Sequence, residues 1–175
     1  GTENEVDSYR SELQGQHAML LGLLAFCTFH NITEGAVRLG CDNRNCVRHG
    51  QGDWQKVSPN MPHADLIRAI RILKHKIPVT VSFEHVYGHQ DDFLSFASLP
   101  RVSQLNVLMD HRAKSHLQML ASQRPLPSCS AFLPYEGWRC SISDVKITSD
   151  PGKSIRRAVF GSKICTHLVA KQRSS

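Results

Sequence analysis

The sequence predicts an α/β layered domain. Two short segments alternate apolar and polar residues in the manner of strands, three longer ones carry apolar residues at helical spacing, and the two kinds alternate along the chain. The resulting order is helix, strand, helix, strand, helix. If the two strands are parallel, a right-handed crossover joins them, and polar groups gather at their carboxyl ends.

Asp7 or Ser8 can cap a first helix running from about Ser8 to Phe29. It contains the longest apolar run, "AMLLGLLAFCTF" (18–29), which is too short to span a bilayer. That run follows acidic residues rather than basic ones, so it reads as a buried helix and not as a secretion signal. "GAVRLGCD" (35–42) sets Val37, Leu39 and Cys41 against Arg38, Gly40 and Asp42, as a strand with Asp42 at its end. "NCVRHGQGDW" reads as a helical turn and a glycine-rich loop. In "HADLIRAIRILKHKI" (63–77), Leu66, Ile67, Ile70, Leu73 and Ile77 form one stripe of an amphipathic helix, which Pro78 stops.

"VSFEHVYGHQDD" (81–92) starts as a strand, with Val79, Val81 and Phe83 alternating with Thr80, Ser82 and Glu84. It then turns at Tyr87-Gly88 and delivers His89, Asp91 and Asp92 together. Residues 88–103 read as a loop. "SQLNVLMDHRAKSHLQML" follows as a helix with Leu105, Leu108, Met109, Ala113, Leu117 and Leu120 on its apolar stripe. A proline-rich linker, a small hairpin in "WRCSISDVKIT" and a basic helix over 152–172 complete the chain. The expected division is 1–121 as the main domain, 122–137 as linker and 138–175 as a basic hairpin–helix appendage.

The chain has 175 residues and is 41% hydrophobic, enough for one core. The net charge of +6 is unevenly placed: residues 1–138 carry 13 basic and 13 acidic side chains, and residues 139–175 carry eight and two. A basic tail on a neutral body suggests a polyanionic partner, and a solvated helix accounts for the same composition. Six cysteines show no CxxC framework, and with no secretion signal a reducing, intracellular compartment is expected. "CDNRNCVRH" places Cys41, Cys46 and His49 as half of a zinc site, without a second ligand pair at a usual spacing. The first residue is glycine, so a piece of a longer product is expected.

Three carboxylates occupy positions of interest. Glu12 lies in the first turns of an apolar helix, Asp42 ends a strand, and Asp110 shares a helix face with Asn106. If these elements converge, the cluster repels itself unless cations occupy it. Oxygen ligands select hard ions, Mg²⁺ or Mn²⁺, and a pair of such ions can clamp a phosphodiester. Singly, each residue has a plainer role: helix-dipole complement, helix cap and surface charge.

Four motifs resemble the retroelement type of ribonuclease H domain, the kind fused behind a reverse transcriptase. "SYRSEL" is similar to the start of that family's central helix and "RLGCDN" to its aspartate-ending strand. "HVYGHQ" resembles its V-x-G-H turn, and "NVLMDHRA" its N-x-x-x-D-x-x-A helix. The resemblance covers about residues 7–120 and implies a mixed sheet with flanking helices. It also implies Mg²⁺ (or Mn²⁺) on Glu12, Asp42 and Asp110, with His89 assisting, and endonucleolytic cleavage of RNA paired to DNA. Arg10, Asn43 and Arg44 lie where the family meets the minor groove, with helix-surface and capping roles as their alternatives. Arg156 and Arg157 on the tail are the other expected nucleic-acid contacts.

Two departures stand out. The 21 residues from His89 to Asp110 make a longer loop than compact members carry, a candidate lid or substrate contact. Asp91 and Asp92 in it add charge near the metals or are only loop residues. The family also has three antiparallel strands before the central helix, the first with a metal-binding aspartate. "GTENEVD" cannot form them, and Glu5 and Asp7 lie too close to Glu12 to replace that aspartate. The expectation is therefore a domain truncated at its amino terminus and inactive as given, from a polyprotein with reverse transcriptase and with no membrane partner. A non-catalytic nucleic-acid-binding remnant, or an inactive gene fragment, is the alternative.

Overall fold

The protein, seen in a computed structural model, is described over residues 8–121, 133, 140–142 and 145–172. Glu5, Asp7 and nearly all of the proline-rich linker lie outside the described residues. The elements are α1 (Ser8–Phe29), β1 (Ala36–Cys41), α2 (Arg44–Gln51), α3 (Ala64–Lys76), β2 (Thr80–His85), α4 (Arg101–Ala121), β3 (Ser141–Ile142), β4 (Val145–Lys146) and α5 (Pro151–Gln172). The predicted helix–strand alternation is present, and the molecule is mixed α/β. Among the described residues no helix is long and apolar enough to cross a membrane.

β1 and β2 pair in parallel, with Ala36 opposite Thr80 and Cys41 opposite His85. Their carboxyl ends therefore coincide, and Asp42 leaves the sheet beside Val86. Along β2, Val81 and Phe83 are buried while Thr80, Ser82 and Glu84 are exposed, the one-sided burial of an alternating strand. The buried face packs against helices. Leu13 and Leu20 of α1 meet Leu66, Ile67, Ile70 and Leu73 of α3 in one core cluster, all without exposed surface. Burial of each such side chain stabilises by about 1.5–3 kcal/mol. Asp65 in the first turn of α3, and Lys74, His75 and Lys76 in its last, complement the helix dipole.

Glycines let the layers close. A Cβ at Gly50 of α2 would lie 2.8 Å from the Phe83 ring of β2. One at Gly40 would lie 2.9 Å from Val86 and 3.3 Å from Val102, so the start of α4 approaches the sheet closely at Gly40.

Among the elements, the structure departs from the sequence reading in the 88–103 loop and on α4. The 88–103 loop contains two single turns of 3₁₀ helix, Gln90–Asp92 and Phe96–Ser98. The apolar stripe of α4 meets no core among the described residues: Leu105, Leu108, Met109 and Leu117 are exposed. Helical periodicity identifies a stripe but not what covers it.

The described part of the appendage is tied to the body. The Lys146 ammonium sits 3.1 Å from the Asp65 carboxylate. The Asp150 amide donates to the Pro59 carbonyl at 2.9 Å.

Candidate metal centre

Asp42 follows the last residue of β1, and three neighbours fix its surroundings. The His85 ring contacts its backbone carbonyl, Nε2 to O at 3.2 Å. Asn43 caps α2, its side-chain oxygen accepting from the amides of Asn45 and Cys46. Gly88 lies against the carboxylate itself, since a Cβ there would stand 3.0 Å from Asp42 Oδ2. The Gly88 turn is thus a backbone wall of the Asp42 pocket.

Glu12 reaches the same place from α1. Its Oε2 is 4.0 Å from the Cys41 thiol. One donor atom from each of Glu12, Cys41 and Asp42 falls within 4.8 Å of the others. Burial, and then the charges of Asp42 and Asp110, push the Glu12 carboxyl above its ordinary value. Cys41 and Cys46 share a thiol–thiol hydrogen bond that pushes the Cys41 thiol down and, with burial, the Cys46 thiol up. The cluster thus brings together negative groups with little to neutralise them.

Asp110 completes the convergence only loosely. It lies near enough to act on Glu12 by charge. Its carboxylate, however, accepts from Lys114 at 2.7 Å, one turn along α4. The hydrogen bond and charge of Asp110, and then the charges of Asp91 and Asp92, hold the Lys114 ammonium above its usual range. Asp91 and Asp92 therefore lie in the field of Lys114 at this end of α4.

His89 is exposed and adopts the left-handed conformation, φ 53°, one residue after the Gly88 wall. That region tolerates histidine better than most side chains. The ring therefore stands on the turn that abuts Asp42.

The expected nucleic-acid contacts divide. Arg44 is exposed at the start of α2, with its guanidinium 6.0 Å from the centre of the Tyr87 ring. Asn43 is spent on capping. Arg10 requires a correction: it is buried and gives Asp65 two hydrogen bonds, at 3.1 and 3.0 Å. The first turn of α1 faces α3, so its arginine serves the fold and not the surface. Arg156 and Arg157 are exposed on α5, and Arg156 Nε donates back to the Gly152 carbonyl.

The half-site of Cys41, Cys46 and His49 assembles only in part: the two thiols stay together and His49 leaves them. His49 turns its Nδ1 to the Tyr9 hydroxyl, while Glu12 and Asp42 take the places beside Cys41. Sequence reasoning missed Tyr87, an exposed aromatic at the rim, and the entry of Cys41 into the carboxylate cluster. The aromatic beside the Gly-His turn was a usable signal for Tyr87. For Cys41 the sequence signal joined it to Cys46 and His49 instead, because strand alternation points its side chain to the core face, away from Asp42's.

The donor set fits a divalent ion. Two carboxylates from different elements, poorly compensated, suit a hard cation that keeps several waters. No protein-family profile matches the chain, and no curated protein or solved structure matches it.

Proposed function

We propose that the chain is a ribonuclease H-like domain of the retroelement type, whose complete form cleaves the RNA strand of RNA–DNA hybrids. The observation that carries this reading is the convergence of Glu12 and Asp42, from a helix and a strand end, with Asp110 in their field and His89 on the adjoining turn. Glu12 and Asp42 are the residues that hold Mg²⁺ or Mn²⁺ in this reading. Such an ion supplies charge neutralisation and an acidic bound water at a scissile phosphate.

The chain's own residues supply the remaining roles. Gly88 holds the Asp42 carboxylate from one side. The His89 imidazole takes or returns a proton at the phosphate oxygen or at the attacking water. Arg44 and Tyr87 make a cationic, aromatic rim on which a nucleic-acid strand can lie, its backbone on the guanidinium and a base on the ring. A reverse transcriptase in the same polyprotein fits this activity, because it generates the hybrid.

One observation favours a second reading, a nucleic-acid-binding domain without turnover. Asp110 is spent on Lys114, so the described site offers two carboxylates where the resemblance implies more. We therefore expect the 175-residue chain to bind hybrid in a Mg²⁺-dependent way and to turn it over poorly or not at all. The test measures hybrid binding and cleavage with and without Mg²⁺, in wild type and Asp42→Asn. Metal-dependent binding lost in Asp42→Asn supports the metal centre. Binding indifferent to both Mg²⁺ and Asp42 sinks it. Vigorous cleavage abolished by Asp42→Asn would sink the second reading.

A further inference from the structure

We propose that the cavity between the β3–β4 hairpin and α5 is a second ligand site, which takes a nucleotide by its terminal phosphate. It uses neither Glu12 nor Asp42, so it goes beyond the proposed function and stands or falls apart from the metal centre.

Shape is the first ground. Ile142 and Val145 stand opposite each other across the hairpin, and the Ile147 amide carries the pairing on to the Cys140 carbonyl at 2.8 Å. Ser154, Arg157 and Ala158 are spaced three and four residues apart, so they share one face of α5. These residues, with Thr148 and Ser149 on the connection between β4 and α5, line a cavity of about 600 Å³. Small-molecule sites span about 300–1,000 Å³, so the cavity has room for an organic ligand and not only for an ion.

Charge is the second. The described lining contains Lys146 and Arg157 and no acidic residue. Asp150, close by in sequence, accepts from the Lys153 amide at 3.0 Å and caps α5. The Lys146 ammonium is on Asp65, but Asp65 also holds Arg10. That trio therefore carries one positive charge over, and Arg157 adds a second. Two surplus charges match a phosphate monoester, at about −1.5 to −2 near pH 7, better than a singly charged phosphodiester.

The donors are the third. Arg157 is exposed and has no ion-pair partner among the described residues, and a guanidinium grips phosphate through two parallel N–H bonds. Thr148, Ser149 and Ser154 are half-buried in the same lining, and their hydroxyls can donate to phosphate or ribose oxygens. Ile142, Val145 and Ile147 add an apolar wall. A bare phosphate has no use for such a wall, whereas the flat face of a base does.

The experiment titrates the full chain calorimetrically with adenosine 5′-monophosphate, adenosine and inorganic phosphate, in EDTA so that the metal centre takes no part. The nucleotide should saturate at one equivalent. Adenosine and inorganic phosphate should each bind at least about tenfold more weakly, since each lacks one half of the interaction. Arg157→Ala should lose at least about tenfold in nucleotide affinity, the size of one charge-assisted hydrogen bond. Lys153→Ala, which removes a cation of the same helix outside the cavity, should stay within about twofold. If Arg157→Ala fails to fold by circular dichroism, Val145→Asp decides. It sets a carboxylate in the cavity at a position that is 56% exposed, and nucleotide binding that survives it overturns the proposal. Competition by single-stranded oligonucleotides then separates the sources. A strand with a 5′-phosphate that displaces the nucleotide, beside a 5′-hydroxyl strand that does not, supports a strand end as the ligand. Displacement by neither supports the free nucleotide. Equal displacement by both overturns the terminal phosphate and leaves an ordinary backbone contact. No nucleotide binding, binding no tighter than that of inorganic phosphate, or binding indifferent to Arg157 overturns the proposal, and tighter binding of phosphotyrosine overturns the nucleotide.

Discussion

Arg10 and Glu12 are two residues apart on α1 and enter opposite electrostatic worlds. Arg10 meets Asp65, whose carboxylate also takes Lys146, and the Arg10, Asp65 and Lys146 side chains are 10%, 8% and 3% exposed. Burial alone would raise the Asp65 carboxyl, but hydrogen bonds and charges from Arg10 and Lys146 outweigh it and hold the group below its ordinary value. Glu12 meets Asp42 and, at longer range, Asp110, and is pushed up instead. A buried carboxylate with two cations is a fastener. A half-buried one with two more carboxylates is strained until a cation arrives, and such mismatches gather at functional sites.

The comparison breaks most visibly by removing charge on each side. Asp65→Asn should cost about 3–5 kcal/mol of folding stability in urea titrations, because it strands two buried cations. Glu12→Gln should leave stability unchanged or raise it by less than about 1 kcal/mol, since the group is partly solvated and screened. A loss at Glu12 matching that at Asp65 would show that both clusters are structural.

The pH dependence sharpens the same contrast, with opposite signs. Asp65 is depressed, so its contribution is present above its ordinary value of 3.8 and is lost as pH falls through the lower folded value. Glu12 is raised, so its contribution is present below 4.5 and is lost as pH rises through the higher folded value. Denaturation midpoints across that range should therefore decline on both sides. Glu12→Gln should flatten only the decline above pH 4.5, and an unchanged profile would remove Glu12 from the strained cluster.

A smaller effect is expected at Gly88. A Cβ 3.0 Å from Asp42 Oδ2 obliges the carboxylate to shift by a few tenths of an ångström. Gly88→Ala should weaken Mn²⁺ binding severalfold and move folding stability by about 0.5 kcal/mol, as a change in a half-buried turn at the surface does. Unaltered metal affinity would mean that the turn does not shape the site.

The smallest effect concerns the tail. Removing one phosphate-contacting cation should lower the salt slope of hybrid binding by at most about 0.9. Arg157→Ala tests this without cutting the chain, which matters because truncation at Ala121 would also remove Lys146 from Asp65. An unchanged slope would make α5 a solvated helix.

The elements themselves were legible from local pattern. Val37, Leu39 and Cys41 in β1, and Leu66, Ile67, Ile70 and Leu73 in α3, declare their periods, and periodicity is a property of neighbours along the chain. So were the positions of Glu12 and Asp42, because a helix start and a strand end can be read one segment at a time. What the tertiary structure alone decided is which side chains share a space. Arg10 looked like a surface contact until α3 brought Asp65 beneath it. Asp110 looked like a ligand equal to the others until its own helix supplied Lys114. Cys41 read as a strand residue and as half of a zinc site with Cys46 and His49 until α1 laid Glu12 across the end of β1. Each outcome depends on distances between segments 29 to 55 residues apart or on a choice between partners. Electrostatic energy follows distance in space, and the order of residues along a chain does not contain it.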